Sequence, residues 1–147
     1  CIKIDVNKFL QILYMQNKIV PVAKLVEHAK KNIDVIYPFL AKKKLTDKQT
    51  SFVDIRDIRE LWKEGKLEHA FHAPRGMLEF WVDPESPYYK KFFKPYNHYI
   101  LYCASGWRSA LATFTLKQMG YEHVYSLEGG FVNWKKCMLP TVHLEKD

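Results

Sequence analysis

Near the start of the chain Phe9, Leu10, Ile12, Leu13 and Met15 fall close to one helical face, with Asn7, Gln11 and Gln16 opposite. That spacing predicts an amphipathic helix. Pro21 suits the first turn of another, running through Val22, Leu25, Val26 and Ala29. All six glycines stand at or after position 65, so the first third reads as mostly helical. From residue 50 the pattern changes. Ser51 to Ile55 reads as a short buried strand, and Ile58, Leu61 and Trp62 mark the inward face of a helix that Gly65 ends. Ala70 to Ala73 is a second short strand, stopped by Pro74, and Arg75 to Pro95 reads as irregular. Tyr99 to Cys103 is apolar at consecutive positions, as a strand covered on both faces must be, and so predicts the centre of a sheet. A helix from Ser109 to about Met119 comes next, closed by Gly120. Val124 to Leu127 is another strand, and Gly129-Gly130 opens a final helix carrying Phe131 and Trp134. Short apolar strands alternating with helices predict an α/β fold with a mainly parallel sheet, and right-handed crossovers then place helices on both faces.

Composition narrows the class. At 147 residues with 48% hydrophobic and 15% aromatic content, the chain can bury a core of its own. A disordered tail, a collagen-like fibre and a disulfide-stapled mini-protein are excluded. The apolar runs Ile19 to Ala23 and Val35 to Ala41 are short and each holds a proline, so no membrane span is expected. The net charge of +7 is concentrated in residues 1–50, which hold ten lysines and four acids. Lys30-Lys31 and Lys42-Lys43-Lys44 read as solvated helix faces and ends, because no arginine or aromatic pattern interleaves them. No nucleic-acid partner is expected. Cys1, Cys103 and Cys137 are too few and too scattered for a disulfide framework or a zinc site, which points to a reducing, cytoplasmic setting. The chain begins at a cysteine rather than a methionine, which leaves open a processed or lipid-modified start.

The segment with chemical content is Cys103-Ala104-Ser105-Gly106-Trp107-Arg108-Ser109. It sets a thiol at the C-terminal end of the central strand, the edge at which open parallel sheets bind ligands. A short loop into a helix N-terminus aims several backbone N–H groups at one point, where the helix dipole is positive. Those groups favour a thiolate at Cys103 without a neighbouring base. Gly106 lets the backbone curl, and Arg108 supplies a fixed charge. The plain alternative is a buried core cysteine.

Other residues have quieter readings. Asp54 and Arg56 sit where strand turns to helix and read as an N-cap carboxylate with a structural ion pair. Arg75 reads equally as an anion-binding residue or as one that fixes its loop. Trp107 is placed at the pocket mouth, Phe80 and Trp81 in the core. His69 and His72 lack a third ligand for a metal. Cys137 reads as a packed or surface thiol.

Residues 51–137 resemble a single rhodanese-like (thiosulfate sulfurtransferase) domain. The resemblance rests, in order, on Phe52-Val-Asp54-Ile-Arg56, on Glu60 and Gly65, and on His72-Ala-Pro74-Arg75-Gly76. It continues in the Cys103–Ser109 segment, Met119-Gly120-Tyr121, and Leu127-Glu-Gly129-Gly130-Phe-x-x-Trp134. One departure is Gly65-Lys-Leu-Glu-His69-Ala70, where the family often has Gly-His-Ile-x-Gly-Ala. The resemblance implies a sheet of about five strands, the first supplied from residues 20–50. It implies a helical extension over 1–18 outside a domain over 19–147. It also implies a two-step reaction. The Cys103 thiolate takes the outer sulfur of a donor such as thiosulfate, and a thiophilic acceptor, a thiol or a protein, removes it from the Cys103 persulfide. Ala104, Ser105, Gly106, Trp107, Arg108, Ser109 and Arg75 would bind substrate, and no metal or organic cofactor is called for. Two rivals remain. A related phosphatase needs five residues between Cys and Arg, and here there are four, with Tyr102 rather than His before the cysteine. A non-catalytic binding module is the other, although such modules usually lose the cysteine.

Overall fold

A computed structural model describes residues 5–15 and 19–147. Five strands form one parallel sheet in the order β1-β5-β4-β2-β3. They are β1 (Asp34–Ile36), β2 (Thr50–Asp54), β3 (Phe71–His72), β4 (His98–Tyr102) and β5 (Val124–Leu127). The expected central strand is central, with Phe52 paired to Ile100 and Leu101 to Ser126.

Side chains alternate between faces along β2 and β4, as a period of two requires. Val53, Ile55, Tyr99, Leu101 and Cys103 join one buried cluster. Helices α5 (Leu78–Val82) and α6 (Trp107–Gln118) cover it through Leu78, Val82, Ala112 and Leu116. Phe52, Ile100 and Tyr102 join the other, under α3 (Pro38–Lys42) and α7 (Gly130–Lys136), which contribute Ala41, Phe131 and Trp134. Both faces are thus helix-covered, and the unbroken apolar run in β4 is the consequence.

At the N-terminal side, α1 (Val6–Met15) leans on α2 (Val22–Lys31), where Phe9 stacks on His28 with ring centroids 4.1 Å apart. Through Val26 and Ala29, α2 packs on Ala110 of α6. Leu10 and Ile12, predicted to share the apolar face, are exposed, while Phe9 and Leu13 are half-buried. Cys1 and Gln16 lie outside the described residues.

Four expectations need correction. The stretch from Arg75 to Pro95 is not wholly irregular, since it holds the single-turn α5. Phe80 is not core: it is 52% exposed, because α5 turns Leu78 and Val82 inward instead, while Trp81 packs at the core's margin. Helix α6 starts at Trp107 rather than Ser109, because Gly106 takes φ +96° as its N-cap and the helix winds from the next residue. Asp54 is not an N-cap. The cap of α4 (Ile58–Glu64) is Asp57, whose carboxylate accepts the Arg59 N–H, while Glu60 reaches back to the Asp57 N–H in a capping box.

Candidate active site

β2 and β4 run side by side and both end at the C-terminal edge of the sheet, where each leads through a turn into a helix or loop that builds the site. After β4 comes Cys103, with no exposed surface. Its Sγ accepts the Gly106 N–H at 3.1 Å and the Ser109 N–H at 3.4 Å. The Ser109 hydroxyl lies 3.6 Å from the same sulfur and 2.8 Å from the hydroxyl of Ser126, the buried third residue of β5. The first turn of α6 therefore brings two backbone donors and one hydroxyl to a single sulfur, with the positive end of a 12-residue helix behind them.

The loop curls inward because its outer side is tied to α7. The Cys103 carbonyl accepts the Phe131 N–H at 2.8 Å, and the Ala104 carbonyl accepts the Val132 N–H at 3.0 Å. With both carbonyls held outward by a helix N-terminus, the N–H groups beyond them can turn toward Sγ. Close approach requires glycine at Gly130, where a Cβ would stand 2.6 Å from both the Cys103 and Ala104 oxygens. Gly130 also takes φ +62°. The Gly129-Gly130 pair thus does more than open a helix: it lets α7 hold the cysteine loop.

Arg108 leaves the loop and is gripped by Glu60 of α4 through two bonds of 2.8 Å, a fork-to-carboxylate geometry. Hydrogen bonding from Arg108 holds the Glu60 carboxyl below the usual range, against partial burial. The same bond holds Arg108 above its ordinary value, with a smaller contribution from the nearby Cys103 sulfur. Both groups are therefore charged at neutral pH.

After β2, Asp54 and Arg56 close on each other. The Arg56 guanidinium donates to both Asp54 oxygens, at 3.0 and 2.7 Å, and to the Gly65 carbonyl at 2.7 Å. It lies 4.3 Å over the Phe131 ring. Burial pulls the Arg56 pKa down, but the Asp54 hydrogen bond and charge outweigh it and leave Arg56 raised. Asp54 and Arg56 form a buried ion pair, with Nε and Nη2 of Arg56 bonded within the fold.

The sequence-predicted residues thus divide. Cys103, Ala104, Ser105, Gly106, Trp107, Arg108 and Ser109 form one loop and helix start, with Ser105 and Trp107 exposed at its mouth. The Arg75 guanidinium is held by Glu79, and its backbone N–H donates to the Ile55 carbonyl, which favours the loop-fixing reading. His72 Nε2 sits 2.7 Å from the Arg56 carbonyl, and His69 is exposed at φ +63°. Among the described residues no cluster of three or more His, Cys, Asp or Glu is arranged to hold a metal. Cys137 is half-buried with Asn133 as its neighbour. Sequence reasoning missed Ser126 and the role of Glu60. The Asp57-x-x-Glu60 capping pattern was a visible signal for the position of Glu60, though not for its grip on Arg108.

A pocket of about 410 Å³ opens beside the loop between α4 and α7, lined by Arg56, Arg59, Glu60, Ala104, Phe131 and Lys135 among others.

Residues 39–137 match the family model of the rhodanese-like domain. The thiosulfate sulfurtransferase GlpE of Vibrio cholerae is 31% identical over 101 residues, spanning 68% of this chain and 86% of that protein. A Rhodopseudomonas palustris protein of unknown function, described as a possible tyrosine phosphatase, superposes with a TM-score of 0.81 at 36% identity, covering 85% of this chain and 96% of its own. The polysulfide-sulfur transferase homodimer of Wolinella succinogenes superposes with a TM-score of 0.68 at 28% identity, covering 82% and 86%.

Proposed function

This chain belongs to the rhodanese-like domain family, and we propose that it is a sulfurtransferase whose nucleophile is Cys103. The observation that carries the reading is the convergence of the Gly106 and Ser109 N–H groups on one buried sulfur, with the Ser109 hydroxyl beside it. These two N–H donors are already aimed at the sulfur and need no reorganisation when charge develops there. In the first step the Cys103 thiolate attacks the outer sulfur of a donor. A new S–S bond forms, the donor's S–S bond breaks, and its electron pair leaves with the departing group, as sulfite when the donor is thiosulfate. In the second step an acceptor nucleophile takes the outer sulfur of the Cys103 persulfide. The pair returns to Cys103 as thiolate, and cyanide leaves as thiocyanate or a thiol as a persulfide. Gly106, Ser109 and the start of α6 hold the anion in both resting forms, with Ala104, Ser105, Trp107 and Arg108 framing the approach. The names of the Vibrio and Wolinella relatives support this class of reaction. No described helix is long and apolar enough to cross a membrane. A free, reactive thiol suits a reducing compartment, and the cytoplasm remains our reading.

Phosphate-ester hydrolysis is the second reading, favoured by the description of the Rhodopseudomonas neighbour. Against it, only Ala104, Ser105, Gly106 and Trp107 separate Cys103 from Arg108, one residue fewer than the related phosphatase loop holds, and the Arg108 fork is occupied by Glu60. The test is thiocyanate production from thiosulfate or an alkyl persulfide with cyanide, run beside hydrolysis of an aryl phosphate. Sulfur transfer without hydrolysis is expected. Hydrolysis without sulfur transfer would replace this reading with the second, and neither activity would favour a binding module.

A further inference from the structure

Guanidinium groups crowd the rim of the Cys103 loop, yet each described arginine there is already matched by a carboxylate. Arg108 is held by Glu60, Arg56 by Asp54 and Arg59 by Asp57. The Arg108–Glu60 pair is half-exposed, with side chains 42% and 33% accessible, and Glu60 lines the pocket beside the loop. Glu60 is fixed there by a second duty: its carboxylate accepts the Asp57 N–H at 3.0 Å in the α4 capping box. Lys135, which lines the adjoining pocket, is likewise paired with Glu64; apart from Lys63 on that pocket's wall, the positive potential left for an incoming anion comes from the N–H groups of the loop and the start of α6. These are already directed at one sulfur atom and suit a single negative charge.

We infer that Glu60 is a specificity-determining residue that neutralises Arg108 and so biases the site toward singly charged organic persulfides over dianionic donors such as thiosulfate. The inference rests on the sulfurtransferase reading above. A sulfonate end carries charge that a free Arg108 fork would bind bidentately. With Glu60 on that fork, the dianion meets a carboxylate at the mouth instead. An alkyl persulfide presents one charge, at the sulfur that the loop receives, and its organic body has the 410 Å³ pocket beside Ala104 and Phe131.

The test is Glu60→Gln, which can keep the capping hydrogen bond through its amide oxygen, since glutamine serves in a capping box, and which removes the charge together with one of the two acceptors of the Arg108 fork. The ratio of kcat/KM for thiosulfate to that for an alkyl persulfide, with cyanide as acceptor, is expected to rise about tenfold in the variant, the order of one screened charge acting on a dianion. A second readout needs no turnover: inorganic sulfate should slow alkylation of Cys103, with the half-protecting concentration falling about tenfold in Glu60→Gln. An unchanged or lower ratio overturns the inference, as does unchanged protection by sulfate. If wild type transfers sulfur from neither donor, the sulfurtransferase reading fails, and the sulfate titration still decides whether Glu60 screens Arg108.

Discussion

β2 and β4 are neighbours, run parallel, and end at the same edge of the sheet, yet the two strand ends are put to opposite use. After β2, Asp54 and Arg56 bind each other: two guanidinium hydrogen bonds and one from the Arg56 backbone N–H join them, a further one runs to the Gly65 carbonyl, and an aromatic ring lies against the guanidinium. After β4, the donors are backbone N–H groups and they meet a sulfur rather than a carboxylate. The charges of the Asp54–Arg56 pair are balanced within the fold. A sulfur held by N–H groups keeps lone pairs for reaction, and on the sulfurtransferase reading it takes a second sulfur atom without dismantling its supports. One junction balances its charges internally; the other gathers its polar groups around a sulfur, the arrangement that the proposed chemistry calls for.

Breaking each junction should separate these roles. Cys103→Ser is expected to lower sulfur transfer by at least about 10³-fold, since a removed nucleophile costs nearly the whole covalent route. Its melting temperature should stay close to wild type, because serine retains acceptor capacity for the Gly106 and Ser109 N–H groups. Transfer that survives the change would end the case for Cys103. Asp54→Asn should do the reverse. Leaving Arg56 buried without its counter-charge costs about 3–5 kcal/mol, or a fall in Tm of about 10 °C in thermal unfolding. A change of only a degree would mean that Gly65 and Phe131 suffice to hold Arg56.

Gly130→Ala sharpens the contrast, because it touches the cysteine loop from behind. Its Cβ would press on the Cys103 and Ala104 oxygens at 2.6 Å and must push the loop or α7 aside. A loss of transfer of about 10²-fold is expected from misplacement near 1 Å, read from steady-state rates. Retained activity would show that the loop does not depend on its grip by α7.

Charge at the rim gives a pH prediction. The Glu60 pKa is lowered in the fold by Arg108, so its stabilising contribution is complete above the unfolded value of about 4.3 and is lost as pH falls through the lower folded value. The Tm difference between wild type and Glu60→Gln should therefore be constant near neutrality and close as pH drops below about 4. A difference independent of pH down to strong acid would show that the pair contributes through geometry alone.

The smallest effect is expected at His69. It occupies the left-handed region at φ +63°, at the place where the family pattern has a glycine. His69→Gly should raise Tm by a few degrees through relief of backbone strain, reduced by the extra freedom of glycine in the unfolded chain. A lower Tm in thermal unfolding would mean that the unfolded-chain entropy outweighs the strain.

These residues also show what a sequence carries and what it withholds. β4 was legible because burial on both faces leaves an unbroken apolar run, and the cysteine loop because a strand ends there against Gly106 and Arg108. β1 was not legible from pattern, since two of its three residues, Asp34 and Val35, are exposed at the sheet edge. α5 was hidden because a single turn among prolines and aromatics has no period to read. The misassigned cap had a local cause: Asp54 and Asp57 flank Arg56, and only the end of β2 decides which of them meets the helix. Ser126 and Glu60 lie 17 and 48 residues from the side chains they hold, and no local rule connects them.

The central claim is that Cys103 accepts a sulfur atom. The direct measurement is the intact mass of the reduced protein after exposure to thiosulfate or an alkyl persulfide, beside Cys103→Ser. A gain of one sulfur atom is expected in the wild type, absent from the variant and removed by cyanide. A protein that gains no sulfur from either donor while Cys103 still reacts with a thiol alkylating reagent, or a gain that persists in Cys103→Ser, would contradict it.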